Sequence, residues 1–288
     1  MKYSYFPGCT YHSTGQEYDK SLKAVCSILD IELHDVNNWI CCGSSSAHTT
    51  SKLLSVSLPI QNISEVEKEG LDDVVVPCVG CYSRFKKAVY EVENNPVMLK
   101  DVSEIIEYQF RNKVKILNPL EIFKNGMEER IKDKIKKDLS KIKVVCYYGC
   151  VLTRPPKVMQ FDEFEYPTSM DEILKNSGVN ILDWSYKTDC CGVSLSLTKS
   201  DIVLRLVNDI LENASEVGAD AIAVACPLCH ANLDTRQEEV NDLYKKKYNL
   251  PILYFTQVMG LAFGFGIKEL SLNKHFVIPE KLLKKLQI

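Results

Sequence analysis

The chain has 288 residues, with 35 Lys and Arg against 38 Asp and Glu, for a net charge of −3. That balance argues against a nucleic-acid binder, and 45% hydrophobic content argues against disorder. A chain this long can bury roughly three quarters of its unfolded surface, in about two domains.

Composition departs from the ordinary in its twelve cysteines. The first residues, through Cys9, have no apolar signal core, and the longest apolar stretch, 259–267, has nine residues. A membrane helix needs about twenty. The chain therefore reads as cytoplasmic, where clustered cysteines bind metal or do redox work more often than they form disulfides.

In chain order, Tyr5-Phe6-Pro7-Gly8-Cys9 ends a short apolar run of β character. Helical periodicity follows over about 14–30 and, beyond Cys41-Cys42-Gly43, over about 50–70. Asp72–Cys78 reads as a buried strand that delivers Cys78-Val79-Gly80-Cys81 at its C-terminal end, with a helix over about 80–93. Val114–Leu117 is another short strand. Residues 127–141 read as a charged helical connector whose Lys132, Lys134, Lys136 and Lys137 alternate with Glu128, Glu129, Asp133 and Asp138. Such a mixture is a solvated face, not a stripe for nucleic acid.

The second half runs through the same series. Cys146-Tyr147-Tyr148-Gly149-Cys150 matches the first run, and Cys190-Cys191-Gly192 precedes helical periodicity over 197–217. A strand at 219–226 ends in Cys226-Pro227-Leu228-Cys229, followed by helical periodicity over 230–247 and a strand at Pro251–Tyr254. Residues beyond 267 read as an extension packed on this half.

Strands alternating with helices predict an α/β fold of two tandem homologous domains related by duplication. Each would be a small, mostly parallel sheet with flanking helices and its cysteines at the strand C-terminal ends, where ligands of open α/β sheets collect. The expected division is 1–126, the connector 127–141, and 142–288.

Cysteine spacing makes the duplication firm. Cys9, Cys41-Cys42-Gly43 and Cys78-x-x-Cys81 are separated by 31 and 35 residues, and Cys150, Cys190-Cys191-Gly192 and Cys226-x-x-Cys229 by 39 and 34. Each copy offers five thiols, one more than tetrahedral zinc or an ordinary cubane cluster requires. Adjacent cysteines can hardly chelate one small ion but can reach different irons, and Gly43 and Gly192 allow a close turn. Soft thiolates favour an iron–sulfur cluster; zinc, at one site or both, and a redox dithiol stay open as alternatives. Cys26 and Cys146 fall outside the repeat and read as core residues.

The two C…CCG…CxxC copies, with Phe6-Pro7-Gly8-Cys9-Thr10, resemble the cysteine-rich CCG-domain family over about residues 2–267. Within it the tandem form without a ferredoxin segment is similar to the B subunits of CoB–CoM heterodisulfide reductase from methanogenic archaea. The resemblance implies two noncubane [4Fe-4S] clusters. Cys9, Cys41, Cys42, Cys78 and Cys81 would hold one, and Cys150, Cys190, Cys191, Cys226 and Cys229 the other. Cys42, Cys81, Cys191 and Cys229 are then the expected catalytic ligands. The implied activity is reduction of CoM-S-S-CoB to coenzyme M and coenzyme B, with one electron delivered from each cluster.

The chain lacks a G-x-G-x-x-G fingerprint. Electrons would therefore come from partners. The resemblance gives these as the ferredoxin-like C subunit and the flavin-containing A subunit of such a reductase, with hydrogenase or formate dehydrogenase beyond. The alternative is an iron–sulfur component of another CCG-type oxidoreductase, acting in a hydroxy-acid or succinate/fumarate couple and exchanging electrons with a flavoprotein. Arg84, Arg154 and Lys199 follow cysteine elements and are candidates for the substrate's anionic groups. His48 and His230 are candidate proton donors to a released thiolate.

Overall fold

The computed structural model describes residues 1–11, 13, 15–44, 46–124 and 126–288. Each half is a four-stranded, wholly parallel sheet flanked by helices. The first contains β1 (Lys2–Tyr5), β2 (Glu32–Asp35), β3 (Asp73–Val75) and β4 (Lys115–Leu117), in the order β2-β1-β3-β4. The second contains β5 (Lys143–Tyr147), β6 (Asn180–Ile181), β7 (Ala221–Val224) and β8 (Ile252–Tyr254), in the order β6-β5-β7-β8. The orders correspond strand for strand, so the repeated cysteine spacing is a repeated fold.

The central strands are apolar over their buried, C-terminal parts because helices cover both faces. Val74, Val75 and Val76 are fully buried, as are Ala221, Ile222, Ala223 and Val224. Tyr5 pairs with Val75 and Tyr147 with Val224, which brings the chain out of both inner strands of each sheet at one level. The loops that follow therefore lie side by side.

Expected helices appear at Gln16–Ile28, Lys52–Lys68, Val79–Asn94 and Ser200–Glu216. Two expectations are corrected. Helical periodicity over 230–247 resolves into two helices, Pro227–Thr235 and Gln237–Tyr244. The second is anchored where Gln237 bonds both the N–H and the C=O of Leu250. The connector 127–141 is helical only over Glu128–Asp133. Beyond that, the N–H groups of Lys136 and Lys137 donate to the carbonyl of Ala262, and along the segment Met127, Ile131 and Leu139 are buried. Its charged composition hides three apolar anchors, and it is strapped to helices of the second lobe.

The lobes embrace reciprocally. Helix Gln16–Ile28 of the first packs on Phe255–Ala262 of the second, and Ser169–Asn176 of the second packs on Pro119–Phe123 of the first. At the first contact Tyr18 stacks on Tyr254 at 4.5 Å and 10°, and Ser21 hydrogen-bonds Thr256 at 2.7 Å. The segment beyond 267 covers the second half: Leu270 and Leu272 are buried, and Asp234 accepts the N–H groups of Phe276 and Val277.

A polar knot fixes the second lobe. Lys187 Nζ lies 2.8 Å from Asp171 Oδ1, both side chains are buried, and Tyr148 donates to Asp171 Oδ2 at 2.6 Å. Lys187 also donates to the carbonyl of Pro167, while its own carbonyl accepts the N–H of Tyr148 and of Gly149 beside Cys150. Removing one partner of such a pair strands the other charge. Lys187→Met is expected to lower the unfolding free energy by about 3–5 kcal/mol, measured by denaturant titration of metal-free protein. A loss within error of zero would show that the pair contributes nothing.

Candidate functional site

In each sheet three neighbouring strand ends deliver the cysteines. Cys9 follows β1, Cys41 and Cys42 lie in the loop after β2, and Cys78 and Cys81 open the helix after β3. In the second sheet Cys150 follows β5, Cys190 and Cys191 follow β6, and Cys226 and Cys229 open the helix after β7. Cys42 Sγ stands 2.9 Å from Cys81 Sγ, and Cys191 Sγ stands 3.6 Å from Cys229 Sγ. All twelve cysteines are free thiols.

The turn at each CCG depends on its glycine, with φ of +70° at Gly43 and +79° at Gly192. Gly149 is required for a second reason, since a methyl there would stand 3.1 Å from Cys229 Sγ. Cys26 lies in helix Gln16–Ile28 and Cys146 in β5; burial pushes both thiols up.

Crowding divides the thiols of each nest into protonated and ionised members. Hydrogen bonds from Cys81 bring Cys78 down to about 7 and lower Cys42, while the same bonds hold Cys81 well above the ordinary thiol range. Backbone N–H groups of Gly80 and Cys81 reinforce the effect at Cys78. In the second nest the bond from Cys150 brings Cys190 down to about 6, helped by the N–H of Gly192 at 3.3 Å, and Cys150 moves up. The bond from Cys229 lowers Cys191, helped by the N–H of Val193 and by Asn232, and Cys229 rises. Burial, with Cys41 and Cys42, raises Cys9.

Five convergent sulfurs held partly as thiolates, with N–H groups aimed at them, form a donor set for soft, multiply charged metal. Five donors exceed a zinc tetrahedron and suit a multi-iron centre. Cys9, Cys41 and Cys190 are exposed, so each nest opens to solvent on one side while its CxxC is buried.

Both nests stand at one seam. A Cβ on Gly80 of the first CxxC would lie 3.6 Å from Leu228 Cδ1 of the second. Helix Val79–Asn94 packs on Pro156–Met159, which follows Cys150. Arg84 on that helix donates to the carbonyl of Ser44 at 3.2 Å and to His48 Nδ1 at 2.9 Å, directly behind the first CCG. Arg154 donates to Thr188 Oγ1 at 3.0 Å, close to the second CCG, and Lys199 is exposed before helix Ser200–Glu216.

His230 does not fit the role of proton donor. It is buried, stacked on Tyr254 at 4.3 Å, and bonded to His275 at 2.8 Å, and burial drives it well below the usual imidazole range. Sequence reasoning missed Lys87. Half-buried one turn beyond Arg84, it is close enough to Cys150 to feel that sulfur's charge. Its signal is the helical spacing from Arg84, which means nothing until the partner lobe is known.

In metal-free, reduced protein Cys190 is expected to be alkylated by iodoacetamide ahead of the buried thiols. Its rate should rise with pH through about 6 and level off above, as the thiolate fills. Cys26 and Cys146 should stay unmodified until the chain unfolds. Peptide mass spectrometry across pH 5–9 reads both, and a Cys190 midpoint near that of a free thiol would contradict the local chemistry described here.

The family model of the cysteine-rich domain, CCG, matches residues 3–86 and 144–234, one segment in each lobe. The 8-methylmenaquinol:fumarate reductase membrane anchor subunit of Wolinella succinogenes is 30% identical, over 98% of this chain and 99% of that protein. The B subunit of the ferredoxin:CoB-CoM heterodisulfide reductase of Methanosarcina mazei is 28% identical, over 99% and 97%. A crystal structure of a hypothetical protein from Helicobacter pylori superposes with a TM-score of 0.73 at 14% identity, covering 96% of this chain and 52% of that one, and shares the fold. Among the described residues no helix is long and apolar enough to cross a membrane. Two matched segments, two copies of one cysteine pattern and two copies of one sheet agree: the chain belongs to the cysteine-rich CCG-domain family, with the domain present in tandem.

Proposed function

We propose that this chain is the iron–sulfur subunit that reduces a disulfide, with CoM-S-S-CoB the substrate and coenzyme M and coenzyme B the products. In this reading Cys9, Cys41, Cys42, Cys78 and Cys81 hold one noncubane [4Fe-4S] cluster, and Cys150, Cys190, Cys191, Cys226 and Cys229 hold the other. Cys42, Cys81, Cys191 and Cys229 lie nearest the reacting sulfurs, and the domains divide at the 127–141 strap. The observation that carries the reading is that both nests are complete and stand on the same seam. Clusters held there would supply one-electron transfer and a soft iron site for a thiolate.

Cleaving the S–S bond takes two electrons and two protons and releases two thiols. The chain's own residues supply position and charge. Arg84, pinned by Ser44 and His48, keeps other N–H groups free for a phosphate, sulfonate or carboxylate. Because Arg84 can only donate, His48 Nδ1 accepts and its Nε2–H is left to donate a hydrogen bond to a substrate atom rather than to deliver a proton. Arg154 and Lys199 serve the second nest. Electrons arrive from a ferredoxin-like partner and, behind it, a flavoprotein, the C and A subunits of a heterodisulfide reductase. That division is supported by relatives named as B subunits, which align end to end with this chain.

One finding favours a second reading. The Wolinella relative, matched over nearly its full length, carries the name of a fumarate reductase subunit. This chain would then pass electrons to or from a flavoprotein without touching the organic substrate.

Anaerobically purified protein should be brown and contain about eight irons per chain; zinc in their place would end both readings. With reduced viologen as donor, CoM-S-S-CoB should be turned over, and Cys42→Ser or Cys191→Ser should abolish turnover. Full activity in either variant, or none in the unmodified protein, would favour the relay. Arg84→Met should raise KM for the disulfide about tenfold, equivalent to about 1.4 kcal/mol, with kcat little changed.

A further inference from the structure

Tyr11, Tyr18 and Tyr254 are all buried, and none of their hydroxyl oxygens has a hydrogen-bond partner among the described residues. They form one group. Tyr11 meets Tyr18 edge-on at 5.6 Å, and Tyr18 stacks on Tyr254 across the lobe interface. A buried O–H without an acceptor is costly, and phenylalanine would fill the same space without that cost. Three together at the seam need an acceptor.

Sulfur is the chemistry these phenols share: Cys78 acts on all three, Cys226 acts on Tyr18 and Tyr254, and the one carboxylate that acts on Tyr254, Glu17, does not bond its hydroxyl. Cys78 and Cys226 are equivalent positions, the first cysteine of each CxxC. The ring of Tyr254 is held in place from both faces, by Tyr18 and by His230. The outer face of Tyr254 is covered by His230 at 4.3 Å and 12°. His230 is fixed by a chain of donors in which Gln257 gives to His275 Nε2, leaving His275 Nδ1–H to give to His230 Nε2. His230, whose place beside Cys229 suggests a proton donor, is thus a plate that holds a tyrosine.

We infer that Tyr11, Tyr18 and Tyr254 donate their phenol O–H groups to the metal-bound sulfurs of Cys78 and Cys226, so that one aromatic group spanning both lobes sets the reduction potentials of both centres. The inference rests on the reading that the nests hold iron–sulfur clusters. Hydrogen bonds to ligand sulfur stabilise the reduced, more negative form and raise the potential.

The test uses anaerobically purified holoprotein carrying Tyr11→Phe, Tyr18→Phe or Tyr254→Phe, titrated redox-potentiometrically with EPR detection. Iron and sulfide contents should match those of the unmodified chain. At least one centre in each variant should move to lower potential by about tenfold in its one-electron equilibrium, or about 59 mV. Tyr148→Phe is the control, since that equally buried hydroxyl is bonded to Asp171. Potentials unchanged in the three variants, or shifted equally by the control, would overturn the inference, as would hydroxyls satisfied only by water. Should a variant fail to hold iron, 3-fluorotyrosine incorporated into the unmodified chain must raise the potentials through its stronger O–H donor, and no shift would count against the proposal. Absence of iron from the unmodified protein is a separate outcome that removes the cluster reading itself.

Discussion

Five sulfurs cannot share a few ångströms of partly buried space as five anions. Without metal, each nest resolves the conflict by passing protons among its thiols, so that Cys78 and Cys190 lie low while Cys81, Cys150 and Cys229 lie high. The rest of the architecture serves to make that crowding unavoidable. Parallel strands of matched register send their loops to one edge of the sheet, where helical N-termini bring in Cys78 and Cys226, and at Cys78 N–H groups are already aimed at sulfur. A folded chain that enforces unfavourable proximity returns that energy to whatever cation relieves it, which couples metal binding to folding.

Duplication adds the second constraint. One nest is a donor set for metal; on the proposed reading, two nests on one seam act on a single bond from both sides. The seam exists because each lobe contributes a helix to the other's flank, and the Tyr18–Tyr254 stack and the Ser21–Thr256 bond lock the first of those contacts. A hinge between the lobes would be tolerable in a pair of independent electron carriers. A buried stack of three rings, from Tyr18 through Tyr254 to His230, works against such a hinge and favours joint action.

The cysteine nests are legible in the sequence because their signal is covalent spacing, which no packing detail can erase, and their strands are legible as unbroken apolar runs. What stays hidden depends on partners distant along the chain. The edge strand Glu32-Leu33-His34-Asp35 carries only one half-buried apolar side chain and shows no run. The connector looks solvated because Met127, Ile131 and Leu139 are outnumbered by charges. His230 looks chemical beside Cys229, yet its surroundings come from Tyr254 and His275, which spacing from a cysteine cannot show. The tyrosine group is invisible for the same reason, being assembled from residues 11, 18 and 254.

The two copies differ where charge would matter. Aligning the CxxC pairs places Arg84 opposite Asn232 and Lys87 opposite Thr235. In the first copy the arginine is tethered behind its CCG, and the lysine reaches toward the sulfur of Cys150 in the other lobe. In the second copy the asparagine is buried against the carbonyl of Cys191 and carries no charge at all. A symmetric seam would treat the two ends of a ligand alike, whereas here Arg84 and Lys87 on the first CxxC helix have no charged counterparts on the second, and Arg154 and Lys199 stand on other elements. On the proposed reading a mixed disulfide has two unlike ends, and cations placed differently about the two nests give the protein a means to seat each sulfur at a chosen nest. An electron relay has no use for that distinction, so among the readings of this fold the asymmetry favours direct contact with a substrate whose halves are chemically different.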